Sequence, residues 1–64
     1  MNKDALKEII ATKMAMMKLI VEMNESAVIL ATFPSNKHPE KFSAAEKKYA
    51  AAGSKLIDLV MELP

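Results

Sequence analysis

Residues 3–33 show the hydrophobic spacing of one long amphipathic helix. At about 100° of rotation per residue, the apolar residues gather on one side, and Lys18, Glu22 and Glu25 fall opposite them. This stripe approaches half of the circumference, whereas a helix with one neighbour needs an apolar arc of only a little over ~100°. The width predicts that the helix contacts two or more others. Its members are Leu6, Ile9, Ile10, Met16, Met17, Ile20, Val21, Met23, Ala27, Val28 and Ala31, flanked by Leu19, Leu30 and Phe33.

Residues 34–39 interrupt the helical pattern. Pro34 ends the first helix, because proline lacks an N–H group and disfavours the α conformation in the residue before it. A second helix can begin at Pro39, since proline suits a first helical turn, or at Ser43, which forms a capping box with Glu46. We favour Pro39, because Phe42 is already in phase with the pattern that follows. A loop this short predicts an antiparallel hairpin.

Helix 2 carries the sharpest pattern in the chain, a 3-4 spacing over three heptads that is typical of helices packed at about +20°. Helix 1 carries a compatible row. Gly53 costs about 1 kcal/mol of helix propensity relative to alanine, and the small run 50–53 would let another backbone approach closely. The helix 2 row is Phe42, Ala45, Tyr49, Ala52, Leu56, Leu59 and Leu63, and the helix 1 row is Leu6, Ile9, Lys13, Met16, Ile20, Met23, Ala27 and Leu30.

The length of the chain argues for self-association. A chain of 64 residues buries only about 60% of its unfolded surface, and this one contains no cysteine to form a disulfide. We therefore predict an all-α fold: one domain over residues 1–64, with helices at about 3–33 and 39–63, that forms a homo-oligomer, most simply a dimeric four-helix bundle. The expected interface residues are Leu6, Ile9, Ile10, Met16, Met17, Ile20, Leu56 and Leu59.

Lys13, Asn24 and Tyr49 are the candidate ligand-binding residues. Lys13 lies inside the apolar stripe, where its stem would cover apolar surface while its ammonium group reaches water, Asp58 or Glu62. It would otherwise fix the register of an oligomer or hold an anion between subunits. Folding the chain at the loop places Asn24 near Tyr49, as a hydrogen-bonded pair or as a stacking platform for a base.

The remaining composition points away from catalysis. Nine lysines face eight acidic residues, and a net charge of +1 predicts no strong electrostatic partner. No glycine-rich phosphate loop, zinc motif or catalytic triad is present, so we expect no enzyme, no metal and no cofactor. His38 is expected to be a solvated loop residue. The methionines at 14, 16, 17 and 23 suit a core or an adaptable binding surface.

Localisation and origin follow from composition. The most apolar window, residues 14–33, contains Lys18, Glu22, Asn24 and Glu25, and Asp4 and Glu8 interrupt any signal-peptide core. We therefore expect a cytoplasmic protein without a membrane partner. The lack of arginine in a chain rich in lysine, isoleucine and methionine is typical of AT-rich genomes, including those of phages.

In length and architecture the chain resembles small plasmid copy-control proteins, which bind paired RNA loops as dimers of hairpins. It is also similar to small helical phage proteins that blunt host defence by binding an enzyme or sequestering a nucleotide signal. Three functions are expected, in this order: a regulator or inhibitor of another protein, a sponge for an anionic small molecule at subunit interfaces, and an RNA- or DNA-binding bundle.

Overall fold

The computed structural model describes residues 2–63 and shows two helices that pack against each other. Helix α1 spans Lys3–Thr32 and helix α2 spans Pro39–Glu62. The described residues contain no strand. The all-α class and the helical hairpin are confirmed, and the observed helix ends lie within one residue of the predicted ones.

The ends of the helices have identifiable local causes. The Ala5 N–H group donates a hydrogen bond of 2.7 Å to Asn2 Oδ1, so Asn2 caps α1. At the other end, Phe33 leaves the helical conformation immediately before Pro34. Helix α2 begins at Pro39, which confirms the earlier of the two possible starts. The loop is closed by the His38 N–H group, which donates to the Pro34 carbonyl over 2.9 Å.

The interior of the hairpin consists of small side chains. Ser26, Ala45 and Ala52 are buried, each with 3% of its surface exposed. Small residues at these positions let the two helix axes approach closely, and half-buried residues continue the contact on both sides. These half-buried residues are Ala5, Ile9, Thr12, Met16, Leu19, Met23, Ala27, Leu30 and Phe33 of α1, and Phe42, Gly53, Leu56, Leu59 and Leu63 toward the other end of the chain.

The row expected to face α2 from helix 1 is partly wrong. Leu6, Lys13 and Ile20 are exposed, and Thr12, Leu19 and Ser26 lie at the contact instead. The apolar stripe is so wide that its centre does not show which edge meets α2. The packed edge is the one whose small residue matches the two buried alanines of α2.

The corresponding row of helix 2 is confirmed at most positions, since Phe42, Ala45, Ala52, Leu56, Leu59 and Leu63 are all buried or half-buried. Tyr49 differs, because 41% of its surface is exposed.

The hairpin is long and thin. Its accessible surface is 5176 Å², whereas a folded monomer of this mass has about 4,100 Å². Its radius of gyration is 15.3 Å, against about 11 Å for a compact domain of the same length. Two helices pack along one line of contact and leave the rest of each apolar stripe uncovered.

Candidate binding surfaces

Seven exposed apolar side chains, contributed by both helices, lie on one broad side of the hairpin. In α1 they lie about 70–150° around the axis from the side that contacts α2, and in α2 about 20–100° from the side that contacts α1. Because the helices are antiparallel and both right-handed, these two rotations bring the side chains to the same broad face of the hairpin. We call this surface the apolar face; it comprises Leu6, Ile10, Met17, Ile20, Tyr49, Ile57 and Val60, which are 41–61% exposed.

The predicted interface residues divide between two environments. Leu6, Ile10, Met17 and Ile20 belong to the apolar face and are open to solvent. The other four, Ile9, Met16, Leu56 and Leu59, are half-buried on the sides of the helices that face each other.

A second exposed row runs along the side of α1 that points away from α2. Met14, Val21 and Val28 are spaced seven residues apart and are 60%, 54% and 64% exposed. We call this row the outer ridge. Helical geometry places it about 150–190° around α1 from the contact with α2. A partner that covers the apolar face would therefore leave at least part of the outer ridge accessible.

The three candidate ligand-binding residues are exposed on the apolar-face side, but they do not form one site. No hydrogen bond joins Asn24 to Tyr49 within the residues that the structure describes. The Met23 methyl carbon would lie 3.7 Å from a Cβ atom added at Gly53, so the end of the Met23 side chain reaches that part of α2. The pairing of Asn24 with Tyr49 stays a prediction.

Lys13 lies within the apolar face, about 90° around α1 from the contact with α2 and between Ile10 and Met17 along the helix. The carboxylates offered as its partners are elsewhere, since Asp58 and Glu62 line clefts between the helices on the opposite side. Lys13 therefore brings its charge next to exposed apolar side chains.

The opposite face of the hairpin carries small and charged side chains. Lys41, Lys48 and Lys55 follow one line on α2, spaced by seven residues, and alanines lie beside them. Shallow clefts run along this charged face between the helices. One combines Lys48 and Lys55 with two glutamates, and the next along combines Lys18 and Lys55 with Glu22 and Asp58. Opposite charges therefore alternate over most of this face.

The cleft nearest the loop differs from these two. It has a volume of about 350 Å³ and is lined by Ile29, Phe33, Lys41, Ala44, Ala45 and Lys48. The Lys41 ammonium lies 4.3 Å from the centre of the Phe33 ring, a cation–π contact. His38 meets the same ring edge-on, with the ring centres 5.1 Å apart. Two cations and one aromatic ring thus share a cleft whose lining contains no carboxylate.

The described residues show neither a metal-binding cluster nor a membrane-spanning helix. Residues 2–63 contain no group of three or more His, Asp or Glu side chains placed to hold a metal ion. Neither helix, over the part of the chain that the structure describes, has a stretch long and apolar enough to cross a membrane.

The cleft nearest the loop, which we call the loop-end cleft, was not predicted from the sequence, because Phe33 was placed in the apolar stripe and was not connected with Lys41. A usable signal existed. Phe33 and Lys41 flank a short turn, and Lys48 lies two helical turns after Lys41, so the hairpin has to bring all three together.

Comparison of the chain with models of protein families, with curated proteins and with solved structures gave no match. The geometry of these surfaces is therefore the basis for a proposed function.

Proposed function

We propose that this protein is a non-enzymatic binding protein that acts as a homodimer and regulates or inhibits another protein. The observation that carries the proposal is the apolar face, a surface of exposed apolar side chains on both helices of a hairpin in which only three of the described residues, 2–63, are buried. Exposed apolar patches of this extent mark sites of protein association.

A second copy is the occupant that best fits the apolar face. The Cα atoms extend over 53 by 15 Å, so one broad face has a projected area of roughly 800 Å², which equals the area that each partner buries in a standard interface. Two hairpins joined through this face form a four-helix bundle, in which each helix of one hairpin gains a neighbour from the other. The wide apolar stripe of α1 would then contact two helices, α2 of the same hairpin and one helix of the second copy.

Dimerisation of this kind leaves the outer ridge for a different partner. Met14, Val21 and Val28 point away from α2 and lie at the margin of the dimer contact. A heptad-spaced apolar row containing methionine suits a helix or an apolar groove on a target protein, because methionine side chains adapt to irregular surfaces. The proposed regulator thus uses one apolar surface for assembly and another for its target.

The test is affinity purification of tagged protein from its native host, with Val21→Glu as the variant and Ala15→Glu as the control. Ala15 is also exposed on α1 but lines a cleft of the charged face. We expect a stoichiometric partner with the wild type and with Ala15→Glu, and its loss with Val21→Glu while all three proteins remain dimers. A partner retained by Val21→Glu, or no retained partner at all, would reject the outer ridge as the target surface.

The other two expected functions receive different support. Lys13, Asn24 and Tyr49 do not converge, so the geometry gives no support to a small-molecule sponge built from them. Lysines on the charged face alternate with carboxylates, which weakens the attraction of that face for a nucleic acid backbone.

A further inference from the structure

We propose that the loop-end cleft binds a small organic anion that contains an aromatic ring, with a nucleoside monophosphate as the representative ligand. The cleft lies within one hairpin, on the face opposite the apolar face. The inference therefore depends neither on the dimer nor on a protein target.

The charge of the cleft selects an anion. Its two charged lining residues are Lys41 and Lys48; Lys48 also lines the neighbouring cleft, which contains Glu22 and Glu25, whereas Lys41 does not. Lys41 and Lys48 lie two turns apart on the same side of α2, about 10.5 Å along the helix axis. Their long, flexible side chains can converge on one phosphate or carboxylate group, and the lysine ammonium is a common phosphate-binding group in proteins.

The apolar part of the lining selects a ring. The Phe33 ring lines the cleft with the Lys41 ammonium over it, 4.3 Å from the ring centre, and Ile29 lies one turn before it. The small side chains of Ala44 and Ala45 also line the cleft and leave space for a ligand. A planar ligand ring can pack against Phe33 in this space while the Lys41 ammonium moves from the aromatic ring to the anionic group.

The cleft is also held in place by the fold. Phe33 is fixed by its edge-on contact with His38, and Ala45 is buried against α1 with 3% of its surface exposed. The volume of about 350 Å³ is at the lower end of the range of small-molecule sites, about 300–1,000 Å³. An open cleft of this size suits a ligand with one ring system and one anionic group.

The experiment is an NMR titration of the ¹⁵N-labelled full chain with adenosine 5′-monophosphate, and separately with inorganic phosphate and with adenosine. We expect saturable shifts of the Phe33, Lys41, Ala44 and Lys48 amides with the monophosphate, and much weaker binding of phosphate or adenosine alone. Shifts that do not saturate or that spread over the whole surface would overturn the site. Phosphate that binds as tightly as the monophosphate would overturn the requirement for a ring.

Matched variants separate the cleft from general lysine charge. Lys48→Gln removes one cation of the cleft, and Lys47→Gln removes the neighbouring lysine, which is exposed but outside the cleft lining. We expect Lys48→Gln to weaken monophosphate binding about tenfold, as for loss of a charged hydrogen bond, and Lys47→Gln to change it less than twofold. Equal effects of the two substitutions would overturn the proposal. Both substitutions are at exposed positions, so each variant should fold.

Discussion

The two broad faces of the hairpin are built from the same two helices but have opposite character. On the apolar face, Ile20 and Ile57 expose 47% and 61% of their surfaces. On the charged face, alanines alternate with lysines and carboxylates, and shallow clefts follow the contact between the helices. Exposing alanine side chains and the aliphatic part of lysine to water costs little free energy, whereas exposing rows of isoleucine and methionine costs considerably more.

The charged face therefore consists of side chains that tolerate exposure to water, whereas the apolar face exposes side chains that are stabilised by burial. Burying an aliphatic side chain stabilises a protein by about 1.5–3 kcal/mol relative to leaving it exposed. The single hairpin gains only part of this free energy from the residues of the apolar face. A second copy that covers the face would provide the rest. The account therefore predicts opposite sensitivities of the two faces to the same substitution.

The largest effect is expected for Ile20→Glu, at the centre of the apolar face. In the proposed dimer the new carboxylate would be buried without a partner, which costs several kcal/mol and should weaken dimerisation by about 1,000-fold or more. The control is Ala11→Glu, which adds the same charge to an exposed position away from the apolar face. Analytical ultracentrifugation should show a monomer for Ile20→Glu and a dimer for Ala11→Glu; two dimers would show that the apolar face is not the interface.

A smaller loss is expected for Ala52→Leu, between the helices. Ala52 is buried against α1 with 3% of its surface exposed, and enlarging such a position costs about 1–3 kcal/mol. In a domain of this size each kcal/mol lowers Tm by about 4–8 °C. Ala51→Leu, at the exposed neighbouring position, should change Tm far less. If thermal unfolding shows the two variants to be equally stable, the two helices are not packed through their small residues.

The smallest effect is a gain. A Cβ atom at Gly53 would have Met23 Cε as its nearest neighbour, at 3.7 Å, an ordinary contact. Gly53→Ala should therefore stabilise the protein by roughly 0.5–1 kcal/mol through helix propensity. Ser54→Ala, at the next and exposed position, is the comparison and should give a smaller gain. A loss of stability with Gly53→Ala, measured by urea unfolding, would mean that the backbone of another helix lies against Gly53 in the assembly.

The extent of the fold could be read from the sequence because it depends on local signals. Asn2 caps α1, Pro34 ends it and Pro39 begins α2, and each acts through its own backbone chemistry. The rotation of α1 about its axis could not be read in the same way. It depends on how Ser26 fits against Ala45 and Ala52 across the hairpin, and a stripe of nearly half the circumference permits several rotations.

The candidate sites divide in the same way: features set within one helix could be predicted from the sequence, and features set by packing between the helices could not. The exposed positions of Leu6, Ile10, Met17 and Ile20 agree with the surplus width of the stripe. The pairing of Asn24 with Tyr49 was inferred from an equal rise along both helices, and it stays a prediction. The loop-end cleft depends on the contact between Phe33 and Lys41 across the turn, which hydrophobic spacing along the chain does not report.

The most direct test of the central claim is the mass of the wild-type protein in solution, measured by native mass spectrometry and sedimentation equilibrium over a wide concentration range. The account predicts twice the chain mass of 7.1 kDa, with dissociation only on strong dilution. A particle of 7.1 kDa at all concentrations would contradict it, because the apolar face would then remain exposed in the stable form of the protein.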